Sequence, residues 1–217
     1  ISNGNLPPDL DQVIESVIEK AISTWREKPS RVINATGVIL HTNLGRAPLS
    51  PESINSIERA SRGYTDLELD LQTGKRGGRQ AYVRQLICDI TGAESGLVVN
   101  NNASALLLGI AAIASGREVI VSRSEAVEIG GGFRIPDVLK QSGAKLIEVG
   151  TTNRTYTSDY EASITDQTGA ILIVHSSNFR VTGFTHAPKI EDLVELGNQS
   201  GIPVLHDLGS GCLINTT

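Results

Sequence analysis

The chain has 217 residues, of which 39% are hydrophobic and 20% are charged, as is typical of a globular domain with a sizeable core. The net charge is −5, which argues against a broad basic surface for nucleic acid. No apolar run approaches the ~20 residues that span a membrane, and Cys88 and Cys212 lack metal-ligand spacing. We therefore expect a cytoplasmic protein without a metal site. Because the sequence contains no methionine, we also expect a fragment of a longer protein.

The first part of the chain is predicted to hold helices joined by extended segments. Apolar residues at spacings of three and four predict an amphipathic helix from Leu10 to Trp25. Its apolar face must pack on this core or on another subunit. Residues 31–50 read as an extended arm, and Ser50-Pro51 begins a short helix in the usual way.

A glycine-rich stretch separates these segments from the next helix. Residues 63–79 alternate and then become rich in glycine, with Lys75, Arg76 and Arg79 close together. This basic cluster has two interpretations, a solvated turn or an anion site, since the planar guanidinium group of arginine matches phosphate oxygens. A helix follows and closes at Gly92.

From Gly96 onward, apolar strands alternate with helices. Strands are predicted at 97–100, 118–122, 145–149, 170–175 and 203–206. Helices are predicted at 102–114, 136–142, 158–165 and 188–200. Continuous apolar strands alternating with helices indicate an α/β fold, a mostly parallel sheet covered by helices on both faces.

The stretch from Gly96 to Ala114 predicts a strand, a polar turn and a buried helix. A helix N-terminus has unpaired N–H groups and the positive end of the helix dipole, so it binds anions. Asn102 and Ser104 can hold a phosphate there, or can simply cap the helix.

In a parallel sheet, ligands bind beyond the carboxyl ends of the strands. The polar residues that follow the predicted strands include Asn101, Asn102 and Ser104, then Glu125 and Glu128, then Asn178, then Asp207. Together they suggest a cofactor with a phosphate and a polar ring. Pyridoxal phosphate fits, with Asp207 as the carboxylate beside its ring nitrogen and Asn178 beside its ring hydroxyl.

Seven motifs in order carry a sharper resemblance. They are INATGVILHTNLGRAPLS (33–50), YTDLELDLQTGKRGGR (64–79), VVNNNASALLL (98–108), EIGGGFRIPDV (128–138), VGTTNRTY (149–156), HSSNF (175–179) and DLGSG (207–211). From about Arg31 to Leu213 the chain resembles the bacterial selenocysteine synthases, a family of fold-type-I pyridoxal-phosphate enzymes. The resemblance implies a truncated large domain of that fold in residues 46–217. Residues 1–45 would be a helix and arm that link to an absent N-terminal domain.

The resemblance also implies the activity and the partners. Such enzymes convert seryl-tRNA(Sec) to selenocysteinyl-tRNA(Sec) with selenophosphate, through an aminoacrylyl group held on pyridoxal 5'-phosphate. They bind the tRNA mainly through the N-terminal domain and form ring-shaped homo-oligomers built from dimers. The family's Schiff-base lysine would lie beyond Thr217, so we expect the fragment alone to be inactive.

The resemblance assigns roles to residues of this sequence. Asn102, Ala103 and Ser104 would hold the cofactor phosphate, and Asp207 would be the catalytic carboxylate at the ring nitrogen. Asn178 would lie near the ring hydroxyl, and Glu125 or Glu128 near the ring face. Arg76 and Arg79 would bind selenophosphate or the cofactor phosphate of a neighbouring subunit. His41 would contact substrate or make a structural hydrogen bond.

Two other functions stay open from the sequence. One is a related pyridoxal-phosphate lyase that acts on a small amino acid or an amino sugar phosphate. The other is a non-catalytic scaffold that has kept the fold. An N-terminal RNA-binding domain in the parent gene would distinguish the transferase from the lyase, and absence of the downstream lysine would favour the scaffold.

Overall fold

The computed structural model describes residues 8–129 and 132–213. It forms two compact units, Ile1–Thr65 and Asp66–Thr217. The division therefore falls between Thr65 and Asp66. The sequence-based assignment of residues 1–45 to a linking arm and 46–217 to a cofactor domain stays a prediction. Among the described residues, no helix combines the length and apolar character needed to cross a membrane.

The described part of the first unit contains two α-helices, α1 (Leu10–Trp25) and α2 (Pro51–Ser61). Asp9 begins α1 with a capping box, and Ser50 caps α2 with Pro51 in its first turn, as the sequence predicts. None of the described residues of this unit is buried. The apolar face of α1 is thus exposed within it, with Trp25 80% accessible.

The second unit is an α/β domain built on a parallel sheet. Its helices are α3 (Ala81–Thr91), α4 (Asn102–Ala114), α5 (Ile135–Gln141), α6 (Thr157–Glu161) and α7 (Ile190–Ser200). Its strands are β1 (Glu118–Ser122), β2 (Glu128–Ile129), β3 (Phe133–Arg134), β4 (Lys145–Val149), β5 (Thr168–Val174) and β6 (Val204–Asp207). The sheet has the order β4-β1-β5-β6 with every pair parallel, while β2 and β3 form a separate antiparallel pair.

Helices cover both faces of this sheet, as predicted. Successive side chains of a strand point to opposite faces. Val119 and Val121 of β1 are buried with residues of α4 and α5. Ile120, between them, is buried with Tyr160 of α6 and Leu193 of α7. The core therefore consists of two apolar layers separated by the sheet.

The predicted strand at 97–100 is wrong. Among the described residues, this run makes hydrogen bonds only through the backbone of Val98, which pairs with the side-chain amide of Gln80. Leu97 remains 55% exposed and Val98 42% exposed. A strand needs a neighbour that supplies a ladder of hydrogen bonds, and no described strand lies beside this run.

The predicted helix at 158–165 is also wrong in length, since α6 ends at Glu161. The Ser163 hydroxyl donates to the Asp159 carbonyl at 2.9 Å, which is the acceptor that the Ser163 N–H would use in a continuing helix. The Ser163 N–H instead donates to the Tyr160 carbonyl, three residues back. Local side-chain competition of this kind ends helices at serine.

Candidate functional site

The N-terminus of α4 lies at the carboxyl edge of the sheet. Asn101 caps the helix, because its side-chain oxygen accepts a hydrogen bond from the Ser104 N–H at 2.9 Å. Asn102 is therefore not the cap, and its side chain is available for another contact. Within the described residues, the N–H groups of Asn102 and Ala103 and the hydroxyl of Ser104 have no hydrogen-bond acceptor.

Asp207 lies at the same carboxyl edge of the sheet and contacts the start of α4. It ends β6, is only 8% exposed, and accepts two hydrogen bonds on Oδ1. One comes from Asn102 Nδ2 at 2.8 Å and the other from the Gly209 N–H at 2.9 Å. No described residue donates to Oδ2. The contact joins positions 105 residues apart in the chain and brings together the two ends of the predicted cofactor site.

Two hollows flank the first turn of α4. One has a volume of about 230 Å³ and is lined by residues that include Asn102, Leu205 and Asp207. The other has a volume of about 320 Å³ and is lined by residues that include Ser104 and Arg134. The side chains predicted to bind a phosphate and a ring nitrogen therefore face open space beside one helical turn.

Glu125 lies behind this edge, at the end of the 3₁₀ turn that follows β1. Its Oε2 accepts a hydrogen bond from the Val174 N–H at 2.9 Å. Burial raises the pKa of the Glu125 carboxyl to about 7, although the bond from Val174 opposes part of that shift. The structure thus gives Glu125 a partner at the end of β5, and its placement near a cofactor ring stays a prediction.

Asn178 contacts the segment that follows the 3₁₀ turn after β1. Its Nδ2 donates to the backbone oxygen of Glu128 at 3.0 Å. The Glu128 carboxylate pairs with Arg134 at 2.6 Å, across the β2-β3 hairpin. The segments that follow β1 and β5 therefore meet, through the side chain of Asn178 and the backbone of Glu128.

A polar cluster is buried beneath the ends of β1 and β4. The hydroxyl groups of Ser122 and Thr155 lie 2.7 Å apart, and Ser124 lies 2.7 Å from Ser122. Tyr160 is fully buried, and its hydroxyl has no hydrogen-bond partner in the described part of the chain. Burial, together with the nearby Glu125 carboxylate, raises the pKa of Tyr160, although the proximity of Ser122 opposes part of that shift.

The predicted basic cluster is held by a carboxylate. Arg76 and Arg79 both bond to Glu68, at 2.8 and 2.7 Å, and this pairing lowers the pKa of Glu68. The backbone closes the loop between them, since Gly77 donates to the Glu68 carbonyl at 2.8 Å. Two guanidinium groups therefore share one carboxylate, within a segment (residues 66–79) that carries three acidic and three basic side chains.

His41 lies in the first unit. Its Nδ1 accepts a hydrogen bond from the Asn43 N–H at 3.2 Å and begins the 3₁₀ turn Thr42–Leu44. This is the structural hydrogen bond that the sequence left open as one of two roles. A role in substrate contact stays a prediction.

The sequence reading missed Glu68 and Gln80, and it named Asn101 without assigning it as the cap of α4. The capping role of Asn101 could have been found, because asparagine just before a run of helix formers is a cap signal. Glu68 lies eight residues before Arg76 and carries no local signal. Gln80 contacts Val98 across 18 residues, a separation that no local pattern encodes.

The chain is similar to known proteins over nearly its whole length. The family described as SelA: L-seryl-tRNA selenium transferase matches residues 32–217. The chain is 52% identical over 211 residues to an L-seryl-tRNA(Sec) selenium transferase of Carboxydothermus hydrogenoformans, covering 97% of this chain and 45% of that protein. It is 55% identical to one of Geobacter sulfurreducens, covering 85% and 40%. The chain thus spans less than half the length of the curated relatives it matches.

Solved structures show the same fold at low sequence identity. A D-glucosaminate-6-phosphate ammonia-lyase matches with a TM-score of 0.63 and 20% identity, covering 78% of this chain and 47% of the lyase. An aminotransferase from Psychrobacter cryohalolentis matches with a TM-score of 0.50 and 16% identity, covering 76% and 38%. These likenesses confirm the predicted fold-type-I pyridoxal-phosphate architecture. With the family match over residues 32–217, the chain belongs to the L-seryl-tRNA selenium transferase family.

Proposed function

We propose that this chain supplies the pyridoxal-phosphate site of a selenium transferase that acts on seryl-tRNA(Sec). The observation that carries the proposal is the buried Asp207 carboxylate. Its Oδ1 is fixed by Asn102 and Gly209, while its Oδ2 has no donor among the described residues. A protonated ring nitrogen is a donor of the kind that such a carboxylate oxygen lacks.

The start of α4 fits the phosphate end of the cofactor. The N–H groups of Asn102 and Ala103 and the Ser104 hydroxyl are donors without acceptors in the described residues. The helix adds the positive end of its dipole. Because Asn102 also contacts Asp207, one molecule that bears a phosphate and a pyridine ring can satisfy both sets of groups.

The residues of this chain then have distinct tasks. Pyridoxal phosphate, when bound, supplies an electron sink for chemistry at the α-carbon of an amino acid. The Asp207 carboxylate would hold the proton on the ring nitrogen, and Asn102 and Gly209 would keep that carboxylate oriented. Asn178, held by the Glu128 carbonyl, would contact the ring hydroxyl. Glu125 and Glu128 are the candidates for the ring face.

The substrates are proposed from the relatives, which are named as L-seryl-tRNA(Sec) selenium transferases. Arg76 and Arg79 are proposed to bind selenophosphate or the cofactor phosphate of a neighbouring subunit, supported by their two exposed guanidinium groups, which both pair with Glu68. His41 is proposed to contact substrate. We also propose a cytoplasmic homo-oligomer, a ring of dimers, to which the exposed apolar face of α1 lends support.

The experiment is an assay of the enzyme that contains this sequence. It is given pyridoxal phosphate, seryl-tRNA(Sec) and selenophosphate, and selenocysteinyl-tRNA(Sec) is measured. We expect product, and a loss of roughly 10³-fold or more in kcat on Asp207→Ala, because the ring proton stabilises the transition state electrostatically. The matched control is Asp192→Ala, an exposed carboxylate of α7, which is expected to leave the rate unchanged.

Three results would contradict the proposal. Full activity of Asp207→Ala would show that Asp207 has no catalytic role. No product from seryl-tRNA(Sec), with elimination from a free amino acid or an amino sugar phosphate instead, would support the lyase. If a folded protein turned over neither substrate, the remaining explanation would be a non-catalytic scaffold.

A further inference from the structure

We propose that Gln80 is a positioning residue that sets the α4 N-terminus for cofactor binding. The inference rests on the proposed function above and concerns the same site. Gln80 immediately precedes α3, at the N-cap position, yet its side chain makes no capping bond to its own helix. Its amide is instead used at a distance from α3.

The Gln80 amide bonds to both backbone groups of one residue. Its Nε2 donates to the Val98 carbonyl at 2.9 Å, and its Oε1 accepts from the Val98 N–H at 3.2 Å. A paired donor and acceptor of this kind is what a neighbouring strand would offer. The side chain therefore takes the place of a strand partner for the run 97–100, whose other backbone groups make no hydrogen bond within the described residues.

A second contact holds the same run against α3. A Cβ placed on Gly96 would lie 2.7 Å from Ile87 Cγ2, so only glycine allows this close approach. The start of the run is thus fixed by packing on α3, and its middle is fixed by Gln80. Both anchors belong to the second compact unit.

The run leads directly into the proposed cofactor site. Only Val99 and Asn100 separate Val98 from Asn101, the cap of α4, and Asn102, the partner of Asp207. A displacement of the Val98 backbone would therefore also displace the N–H groups of α4 that are proposed to bind phosphate. Arg79, the residue before Gln80, bonds to Glu68. It therefore connects Gln80 to the loop that holds Arg76 and Arg79.

The test compares two substitutions at Gln80 with one at Gln85. Gln80→Met keeps the length of the side chain and removes both hydrogen bonds. Gln80→Glu keeps the acceptor for the Val98 N–H and loses the donor to the Val98 carbonyl. Gln85→Met is the control, because Gln85 lies on α3 and, among the described residues, its amide bonds only to Asp89 at the exposed surface.

The two readouts are hydrogen exchange at the Val98 amide and the dissociation constant for added pyridoxal phosphate, both measured on the enzyme that contains this chain. Loss of two hydrogen bonds predicts Val98 exchange and a dissociation constant each about tenfold higher in Gln80→Met. Gln80→Glu should show slower Val98 exchange than Gln80→Met, since it retains the acceptor. Gln85→Met should match the unsubstituted chain in both readouts.

Unchanged Val98 exchange in Gln80→Met would overturn the inference, as would faster exchange with an unchanged dissociation constant, which would make Gln80 merely structural. A tenfold higher dissociation constant for pyridoxal phosphate in Gln85→Met would overturn the inference too. Absence of pyridoxal-phosphate binding by the unsubstituted chain would refute the proposed function, and this inference with it. Binding that Gln80→Met leaves unaltered would overturn the inference alone.

Discussion

At the scale of single residues, two carboxyl groups behind the same sheet edge have different surroundings. Asp207 receives two hydrogen bonds on one oxygen, whereas Glu125 is buried with a single bond, from the Val174 N–H. Desolvation dominates at Glu125 and raises its pKa to about 7. The two carboxyl groups therefore differ in their hydrogen bonds, and Glu125 titrates near physiological pH.

The raised pKa of Glu125 predicts a stability that falls as pH rises. The carboxyl has an ordinary value of 4.5 and a value of about 7 in the folded chain, so the native state binds the extra proton. Its contribution is fully present below pH 4.5 and is lost as pH rises through 7. We expect the free energy of unfolding to fall by roughly 1–3 kcal/mol between pH 5 and 8 from this group.

Urea denaturation at several pH values tests this, with Glu125→Gln as the variant. The amide cannot ionise, so the pH slope assigned to Glu125 should disappear. Glu191→Gln, at an exposed position in the first turn of α7, should keep the slope of the unsubstituted chain. An identical slope in Glu125→Gln would show that Glu125 does not titrate in this range.

Tyr160 provides a second prediction at this scale. Its ring fills the core while its hydroxyl has no partner in the described part of the chain. A buried, unsatisfied hydroxyl is costly, so Tyr160→Phe should be neutral or should stabilise by about 1 kcal/mol. Tyr156→Phe, at a position that is 40% exposed, is the control and should change little. A loss of more than 1 kcal/mol in Tyr160→Phe, measured by chemical denaturation, would mean that the hydroxyl is hydrogen-bonded.

At the scale of elements, close packing on the sheet depends on one glycine in a helix. A Cβ on Gly197 of α7 would lie 2.7 Å from the Ile202 carbonyl oxygen and 2.7 Å from Val204 Cγ2. A Cβ on Gly109 of α4 would meet only Leu205 Cδ2, at 3.7 Å. Both helices lie against the sheet, but only α7 has no room for a methyl group.

The two alanine substitutions should therefore have opposite effects on stability. Gly197→Ala should destabilise by about 1–3 kcal/mol through overpacking. Gly109→Ala should stabilise by about 0.5–1 kcal/mol, because alanine is the better helix former and the contact is an ordinary one. Denaturant titration of each variant measures the difference. Equal effects of the same sign would contradict the packing of α7 on β6.

At this scale the sequence predicts most elements, and the reason is physical. A parallel sheet covered on both faces requires continuous apolar strands, so β1 and β4 have the bounds that the apolar runs predict. The run 97–100 has the same composition but lacks a strand partner in the described chain. Pairing is a property of two segments, and the apolar pattern of one segment cannot report it.

At the scale of the whole molecule, the strand-end rule predicts which residues meet, but not how. It places Asn102 and Asp207 on one edge, and the structure joins them at 2.8 Å. It does not predict that Asn178 donates to the Glu128 carbonyl, nor that Glu68 holds Arg76 and Arg79. These bonds depend on how loops fold back, which spacing along the chain does not determine.

The central claim is that the Asn102–Asp207 edge binds pyridoxal phosphate. Isothermal titration of the enzyme that contains this chain, freed of cofactor, with pyridoxal phosphate tests it most directly, with Asp207→Ala as the variant and Asp192→Ala as the control. We predict saturable one-to-one binding that weakens at least tenfold, or about 1.4 kcal/mol, in Asp207→Ala and stays unchanged in Asp192→Ala. Equal binding by all three proteins, or no binding by the unsubstituted chain, would contradict the claim.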